Sequence, residues 1–364
     1  MILRMSEPYV VIMAGGRGER FWPASRLKRP KQLLPIVGDT PMLTQTVERL
    51  SGLVPPERIF VITNQEQLAA VGEVCPALPK ENLIGEPMGR DTAAAVGLAL
   101  LLVRKKDPDA VFALLPADHV IHDSAGFKDT LRAAFTAASE QDILVTIGIT
   151  ATHPATGYGY IQVGETLMEA ENQTVNSVVE FHEKPNREKA EAYLESGNFF
   201  WNAGMFVWST HALEAALKSH APGLYESLSA LDADWDASGS IDSAMSIHYP
   251  KIDKISVDYA IMEKAKNVAV IESAFDWDDV GEWPAIARHE SQDNSGNTLK
   301  GETVLRDAAG NIVVAQDKHV VSLMGVEDLI VVSTPDATLV CHKDQVDQLK
   351  SFVKEIGMMH PDLM

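Results

Sequence analysis

The chain has 364 residues, 46% of them hydrophobic, and a mean hydropathy of −0.04, enough to bury one substantial core and a smaller second one. Its formal net charge of −20 excludes non-specific binding to nucleic-acid phosphates and a polybasic membrane anchor, so any phosphate it handles must be met by a few local cations. No run approaches the roughly 20 apolar residues of a membrane span, and no secretory signal is expected.

Residues 9–13 read as a buried strand, broken at once by Ala14, Gly15, Gly16, Arg17 and Gly18. Helix-like residues 42–50, 92–104 and 125–139 then alternate with strand-like residues 58–63, 110–115 and 143–149. Such alternation predicts a mostly parallel sheet wrapped by helices. From Thr156 the run Gly157, Tyr158, Gly159 and Tyr160 changes the punctuation. Strands at 175–181, 200–208 and 268–272 and helices at 211–231 and 256–264 follow, and this middle third is expected to cover one end of the sheet as a substrate lid.

The polar run 291–297 predicts a linker, dividing the chain into residues 1–290 and a small β domain at 291–364. Short apolar runs at 302–305, 312–315, 320–324, 329–333 and 338–341 recur there, as in a β-solenoid or a small sheet. Residues 344–356 close the chain as a helix with Val346, Leu349, Phe352 and Ile356 on one face. Cys75 and Cys341 lie far apart and outside any CxxC pair, so they read as buried thiols of a protein in a reducing cytoplasm.

The glycine-rich loop lacks the order of a P-loop and of a dinucleotide fingerprint. It offers backbone N–H groups at the carboxyl end of a strand, with Arg20 as a fixed cation and Lys31 following in Arg29-Pro30-Lys31-Gln32. Those parts suit a triphosphate, although a tight surface turn with scattered cations is the plainer reading. Asp118 ends the apolar run Leu114-Leu115-Pro116-Ala117, and Asp279 follows Trp277-Asp278. Two strand-end carboxylates can share one Mg²⁺, though each alone could equally cap a helix or open a turn. His119 is expected to pack or orient its neighbours, because magnesium disfavours imidazole. Lys184 stands at a strand end before Pro185, where a solvated lysine is the ordinary outcome. Glu86 and Asp91 bracket a loop in which an ionised carboxylate, able only to accept, would suit the adjacent N1–H and N2–H₂ donors of guanine and repel a pyrimidine carbonyl.

Gly15, Gly16, Gly18, Arg20, Pro23, Ser25, Pro30 and Lys31 match the pattern G-G-x-G-x-R-x-x-P-x-S-x-x-x-x-P-K. In this, in Pro116-Ala117-Asp118-His119, in Glu183-Lys184-Pro185 and in Trp277-Asp278-Asp279-Val280-Gly281-Glu282-Trp283, the chain resembles the sugar-nucleotidyltransferase family over residues 8–345. The resemblance implies an α/β fold: a Rossmann-like three-layer nucleotidyltransferase domain and a small C-terminal domain like a left-handed β-helix. It implies that Arg20 and Lys31 act on the nucleotide phosphates, that Gly15, Gly16, Gly18, Glu86 and Asp91 bind the nucleotide, and that Asp118 and Asp279 hold Mg²⁺. Gly159, Glu180, Lys184 and Asn202 are implied to bind the sugar phosphate. Arg17 takes a variable position and no role, and Asp91 stands where the family commonly carries Asn.

The Phe21-Trp22-Pro23 and Pro30-Lys31-Gln32 variants resemble the branch that joins mannose 1-phosphate to GTP. The expected reaction therefore moves GMP from GTP to mannose 1-phosphate, giving GDP-mannose and pyrophosphate. Glucose 1-phosphate with UTP or dTTP is the nearest alternative, and a non-catalytic nucleotide-sugar sensor is a second, which the presence of all five charged positions disfavours. No nucleic acid, membrane or isomerase domain is expected, and exposed C-terminal strands are expected to pair in a homodimer.

Overall fold

The apolar run at the start is β1 (Tyr9–Met13), buried because parallel strands flank it on both sides. The computed structural model describes residues 7–16 and 18–364, so Arg17 lies outside the described residues. After α1 (Met42–Arg49), the elements β2 (Ile59–Asn64), α2 (Leu68–Val74), β3 (Leu83–Glu86), α3 (Asp91–Lys106) and β4 (Val111–Pro116) complete the parallel run β3-β2-β1-β4. The chain continues through α4 (Ser124–Glu140), β5 (Leu144–Thr150), β6 (Tyr160–Ala170), β7 (Gln173–His182), α5 (Arg187–Ser196) and β8 (Phe199–Ser209). Then come α6 (Thr210–His220), α7 (Pro222–Ser238), α8 (Ile241–His248) and β9 (Val268–Glu272).

All nine strands form one sheet in the order β3-β2-β1-β4-β8-β5-β9-β7-β6. The sheet is mixed rather than mostly parallel. β8 runs antiparallel between β4 and β5, and the β6–β7 hairpin runs antiparallel to β8 and β9. The middle third thus extends the sheet and is not a lid over its end. β6 is absent from the sequence reading because Gly164 and a run of half-exposed polar residues hide the strand pattern. Its turn uses Glu171 and Asn172, both at positive φ (49° and 63°), as a two-residue type I′ hairpin demands.

Helices cover both faces. Ala93, Leu98, Leu213 and Leu228 of α3, α6 and α7 pack on one, and Leu43, Phe127, Leu131 and Ala134 of α1 and α4 on the other, giving three layers. The single helix expected over 211–231 is two, because Pro222 cannot continue α6 but can open α7. The helix expected over 256–264 is a five-residue π turn, Asp258–Met262.

The polar run 291–297 is an ordered turn in which Asp293 accepts from the backbone of Ser295 and Asn297. Beyond it, β10 (Thr298–Lys300), β11 (Thr303–Ala309), β12 (Ile312–Ala315), β13 (Val321–Glu327) and β14 (Leu329–Ser333) wind as a β-helix-like coil. Consecutive strands belong to alternate sheets, β10-β12-β14 and β11-β13, and antiparallel β15 (Thr338–His342) closes the first. Inside the coil, buried Asn297 and Asn311 form a ladder: Asn297 Oδ1 accepts from both the backbone and the side-chain amide of Asn311, whose own Oδ1 accepts from Leu329 N.

The closing helix begins as a 3₁₀ turn (Lys343–Gln348) and becomes α9 (Leu349–Met359). Val353, not Phe352, shares the buried stripe with Leu349 and Ile356, since i+4 and i+7 fall on one face, and Phe352 is 48% exposed. Leu349, Val353 and Ile356 share a core with Phe21 and Trp22 of the first loop, and the Trp22 indole N–H donates to the Leu363 carbonyl at 3.1 Å. Both cysteines are thiols, Cys75 buried and Cys341 only partly so. Among the described residues, no helix is long and apolar enough to cross a membrane.

Candidate active site

The glycine-rich loop leaves β1 between β2 and β4 and is held from within. Ala14 O accepts from Gln32 Nε2 and Thr63 Oγ1, Gly16 O from Gln67 Nε2, and Gly18 O from Ser25 Oγ. Gly18 has φ 61°, and a Cβ there would lie 2.7 Å from the backbone N and the Cβ of Lys31, so conformation and space both require glycine. The loop therefore seats Lys31, whose side chain is only 6% exposed.

Lys31 is the centre of the charged group. Its ammonium donates to Asp118 Oδ2 at 2.9 Å, Asp118 O at 3.1 Å and Asp279 O at 2.7 Å. The segments carrying the two aspartates are joined by a backbone bridge, Val120 N to Asp278 O at 2.9 Å and Asp278 N to Val120 O at 3.1 Å. Burial works against the Asp118 charge, yet the Lys31 ammonium holds the carboxyl below its usual range. Arg20 is exposed and shares the neighbourhood of Gly281 with Asp279: a Cβ on Gly281 would lie 3.2 Å from Asp279 Oδ2 and 3.6 Å from an Arg20 guanidinium nitrogen.

Asp278 and Asp279 have different employments. Asp278 accepts from Arg288 at 2.6 and 2.8 Å, from His289 at 2.9 Å and from Val280 N at 2.8 Å, and despite burial those donors hold it far below the usual carboxylate range. Asp279 Oδ1 accepts from the Tyr158 hydroxyl at 2.8 Å, while its Oδ2 has no hydrogen-bond partner among the described residues. Tyr158 lies in the run Thr156-Gly157-Tyr158-Gly159-Tyr160, which the family resemblance assigns to the sugar, and its hydroxyl is taken up by Asp279. His119 accepts the Trp277 indole N–H on Nδ1 at 3.0 Å, and burial pushes it down to about 4, so it orients neighbours as a neutral ring.

Of the four residues expected to bind the sugar phosphate, the structure gathers Gly159, Asn202 and Lys184 but not Glu180. Asn202 N donates to Gly159 O at 2.8 Å, and a Cβ on Gly159 would strike Glu183 Oε2 at 2.8 Å. Lys184, at φ 46°, pairs with Glu183 Oε1 at 3.0 Å, with its own side chain 63% exposed. Glu180 instead pairs with His182 at 2.9 Å, whose ring stacks on Tyr193. Side chains alternate along a strand, and Phe181 between them enters the core under α3, so Glu180 and His182 point to the other face. The residues the sequence reading missed are Glu183, within the Glu-Lys-Pro run itself, and Asp258. Asp258 accepts from Asn202 Nδ2 at 3.1 Å and is pushed up to about 6 by burial and by Glu183.

The two carboxylates of the expected base loop separate. Glu86 is 6% exposed, with Oε2 3.9 Å from where a Cβ on Gly15 would stand, and its Oε1 accepts from the Tyr249 hydroxyl. Burial pushes it up to about 7 against that hydrogen bond. Asp91 is exposed at φ 67° and accepts from Thr92 N at 2.8 Å at the start of α3.

Against this geometry, two family models match: "Nucleotidyl transferase" over residues 9–296 and "MannoseP isomerase/GMP-like beta-helix domain" over residues 301–356. A mannose-1-phosphate guanylyltransferase of Klebsiella pneumoniae is 40% identical over 347 residues, 94% of this chain and 73% of that protein. One of Escherichia coli K12 is 37% identical over 97% of this chain and 74% of its own length. A crystal structure described as mannose-1-phosphate geranyltransferase from Thermus thermophilus superposes with a TM-score of 0.85 at 35% identity, covering 96% of this chain and 99% of that one.

Proposed function

From the premise that this chain belongs to the nucleotidyl transferase family, we propose that it transfers GMP from GTP to α-D-mannose 1-phosphate, releasing pyrophosphate and forming GDP-mannose. The observation that carries the reaction class is the Lys31 ammonium seated between Asp118 and the Asp279 backbone, with Arg20 beside Asp279. The names of the relatives supply the substrate pair.

The sugar phosphate is already anionic near neutral pH, so its oxygen can attack the α-phosphorus of GTP without a general base, and the work of the site is positioning and charge neutralisation. Lys184, exposed at the mouth of the group holding Asn202 and Asp258, meets the incoming phosphate. Arg20 and Lys31 meet the nucleotide phosphates as charge builds on departing pyrophosphate. Gly15, Gly16 and Gly18 let the triphosphate approach main chain, and Glu86 accepts from the base. Glu183, rather than Glu180, is placed to receive hexose hydroxyls.

Asp118 and Asp279 fit a divalent cation, because their segments already surround a cation, the Lys31 ammonium, with oxygen atoms. Two carboxylates suit Mg²⁺, which takes one or two of them and completes its shell with phosphate oxygens and water. When bound, Mg²⁺ neutralises phosphate oxygens. We place the protein in the cytoplasm and expect a homodimer in which exposed Val304 and Met324 of the coil are covered.

The test is pyrophosphate release across GTP, ATP, UTP and dTTP with mannose 1-phosphate or glucose 1-phosphate, with Asp118→Ala in parallel. Turnover confined to GTP with mannose 1-phosphate and lost in the variant supports the reading. Turnover with a pyrimidine nucleotide overturns the base assignment, and silence throughout overturns the activity.

A further inference from the structure

Glu86 carries its carboxylate into the protein, where a charged group needs donors. The Tyr249 hydroxyl meets it. Tyr249 is fully buried, between α8 and Ile252, and its ring belongs to the core under α3. The next residue grips the same loop from its other end, since the Pro250 carbonyl accepts from the Arg90 guanidinium. Farther on, Ile255 O accepts from Ala93 N at 3.2 Å, and Val257 N donates to Thr92 Oγ1 at 2.9 Å. Residues 249–257 thus hold residues 86–93 at four points.

We propose that Tyr249 is a positioning residue for base selection: by donating to Oε1 of Glu86 it fixes Oε2 as an acceptor facing the glycine-rich loop, where adjacent N–H donors of guanine can be met. This inference rests on the reading of Glu86 as the carboxylate that touches the base. A carboxylate has two oxygens that exchange by rotation and can carry a proton on either. The phenol removes both freedoms at one oxygen. Without it, Glu86 could rotate or present an O–H, and an O–H tolerates the pyrimidine carbonyl that the carboxylate repels. Burial pushes Glu86 up to about 7 even with the Tyr249 hydrogen bond opposing it, so removal of that bond drives the carboxyl further toward its protonated form.

The experiment measures kcat and KM with GTP and with UTP for Tyr249→Phe, Glu86→Gln and the double variant, at saturating mannose 1-phosphate. Tyr249→Phe is expected to raise KM for GTP and lower the GTP-to-UTP ratio of kcat/KM by about tenfold or more, with kcat and the KM for mannose 1-phosphate within about twofold of the parent. Glu86→Gln alone is expected to lower the same ratio, and adding Tyr249→Phe to it is expected to change the ratio no further. If Glu86→Gln leaves the ratio untouched, the base reading fails and the proposal with it. If Glu86→Gln lowers the ratio but Tyr249→Phe does not, only the positioning role is overturned. An equal drop from Tyr249→Phe in both backgrounds overturns it as well, because Tyr249 would then act elsewhere. Should Tyr249→Phe fail to fold, Tyr249→Met, which also lacks the donor, takes its place in the parent background with the same expected and overturning outcomes.

Discussion

Lys31 and Asp118 form an ion pair of 2.9 Å in which the lysine has no donor to spare, since its two other N–H groups go to the carbonyls of Asp118 and Asp279. One side chain therefore ties the glycine-rich loop to the ends of two separate segments. Contact with a phosphate requires it to exchange one of these protein oxygens for a phosphate oxygen. Lys31→Met should lower kcat/KM by about 100-fold or more through lost charge stabilisation. It should also cost about 1–3 kcal/mol of stability, less than a fully buried pair because Asp118 is 38% exposed. Kinetics beside thermal melts separate the two effects, and unchanged kinetics would remove Lys31 from the reaction.

Glu86 gives a pH signature with a definite sign. Its carboxyl is raised from 4.5 to about 7 in the fold, so its contribution to stability is complete below pH 4.5 and lost as pH rises toward 7. Glu86→Gln should flatten that slope and leave the variant more stable than the parent at pH 8 by about 3 kcal/mol at most. Base binding by the carboxylate has the opposite sense: KM for GTP should fall from pH 6 to pH 8 in the parent and stay flat in Glu86→Gln. Urea melts and steady-state kinetics at matched pH values check both.

The neighbours Asp278 and Asp279 should fail in different ways. Asp278 is held far below its ordinary range by His289 and Arg288 in spite of burial, so it stabilises above its unfolded pKa and that stability fades as pH falls. Asp278→Asn should cost about 2–4 kcal/mol and shift the acid-unfolding midpoint. Asp279→Asn should leave the melt within about 1 kcal/mol and abolish turnover. A reversed pattern would exchange the roles given to the two carboxylates.

Glu183→Gln and Glu180→Gln distinguish the two faces of β7. The first should raise KM for mannose 1-phosphate about tenfold or more with KM for GTP unchanged. The second should leave both KM values unchanged, since Glu180 is paired with His182, whose ring stacks on Tyr193.

Much of the charged centre was legible in the sequence because its chemistry is tied to short runs. Gly18, Lys31, Asp118 and Asp279 each stand where the local chain forces a turn or a strand end, and the fold brings those ends together. Glu180 shows where such reading stops. Its expected role comes from a matched family position, and its face is set by its neighbours: Phe181 enters the core, so Glu180 turns to His182 on the other side. Tyr249 and Asp258 carry no local signal, since each meets its partner, Glu86 or Asn202, across more than fifty residues of chain. The break between α6 and α7 was written in Pro222, but apolar spacing runs across it.

The bond from Trp22 to Leu363 spans 341 positions, and it sets an order of events during synthesis. The large sheet is complete once β9 has emerged, yet the first loop shares its core with α9, which emerges only after the whole β-helix-like coil. A nascent chain that has completed β9 thus carries a paired sheet whose first loop still lacks the apolar partner that α9 supplies.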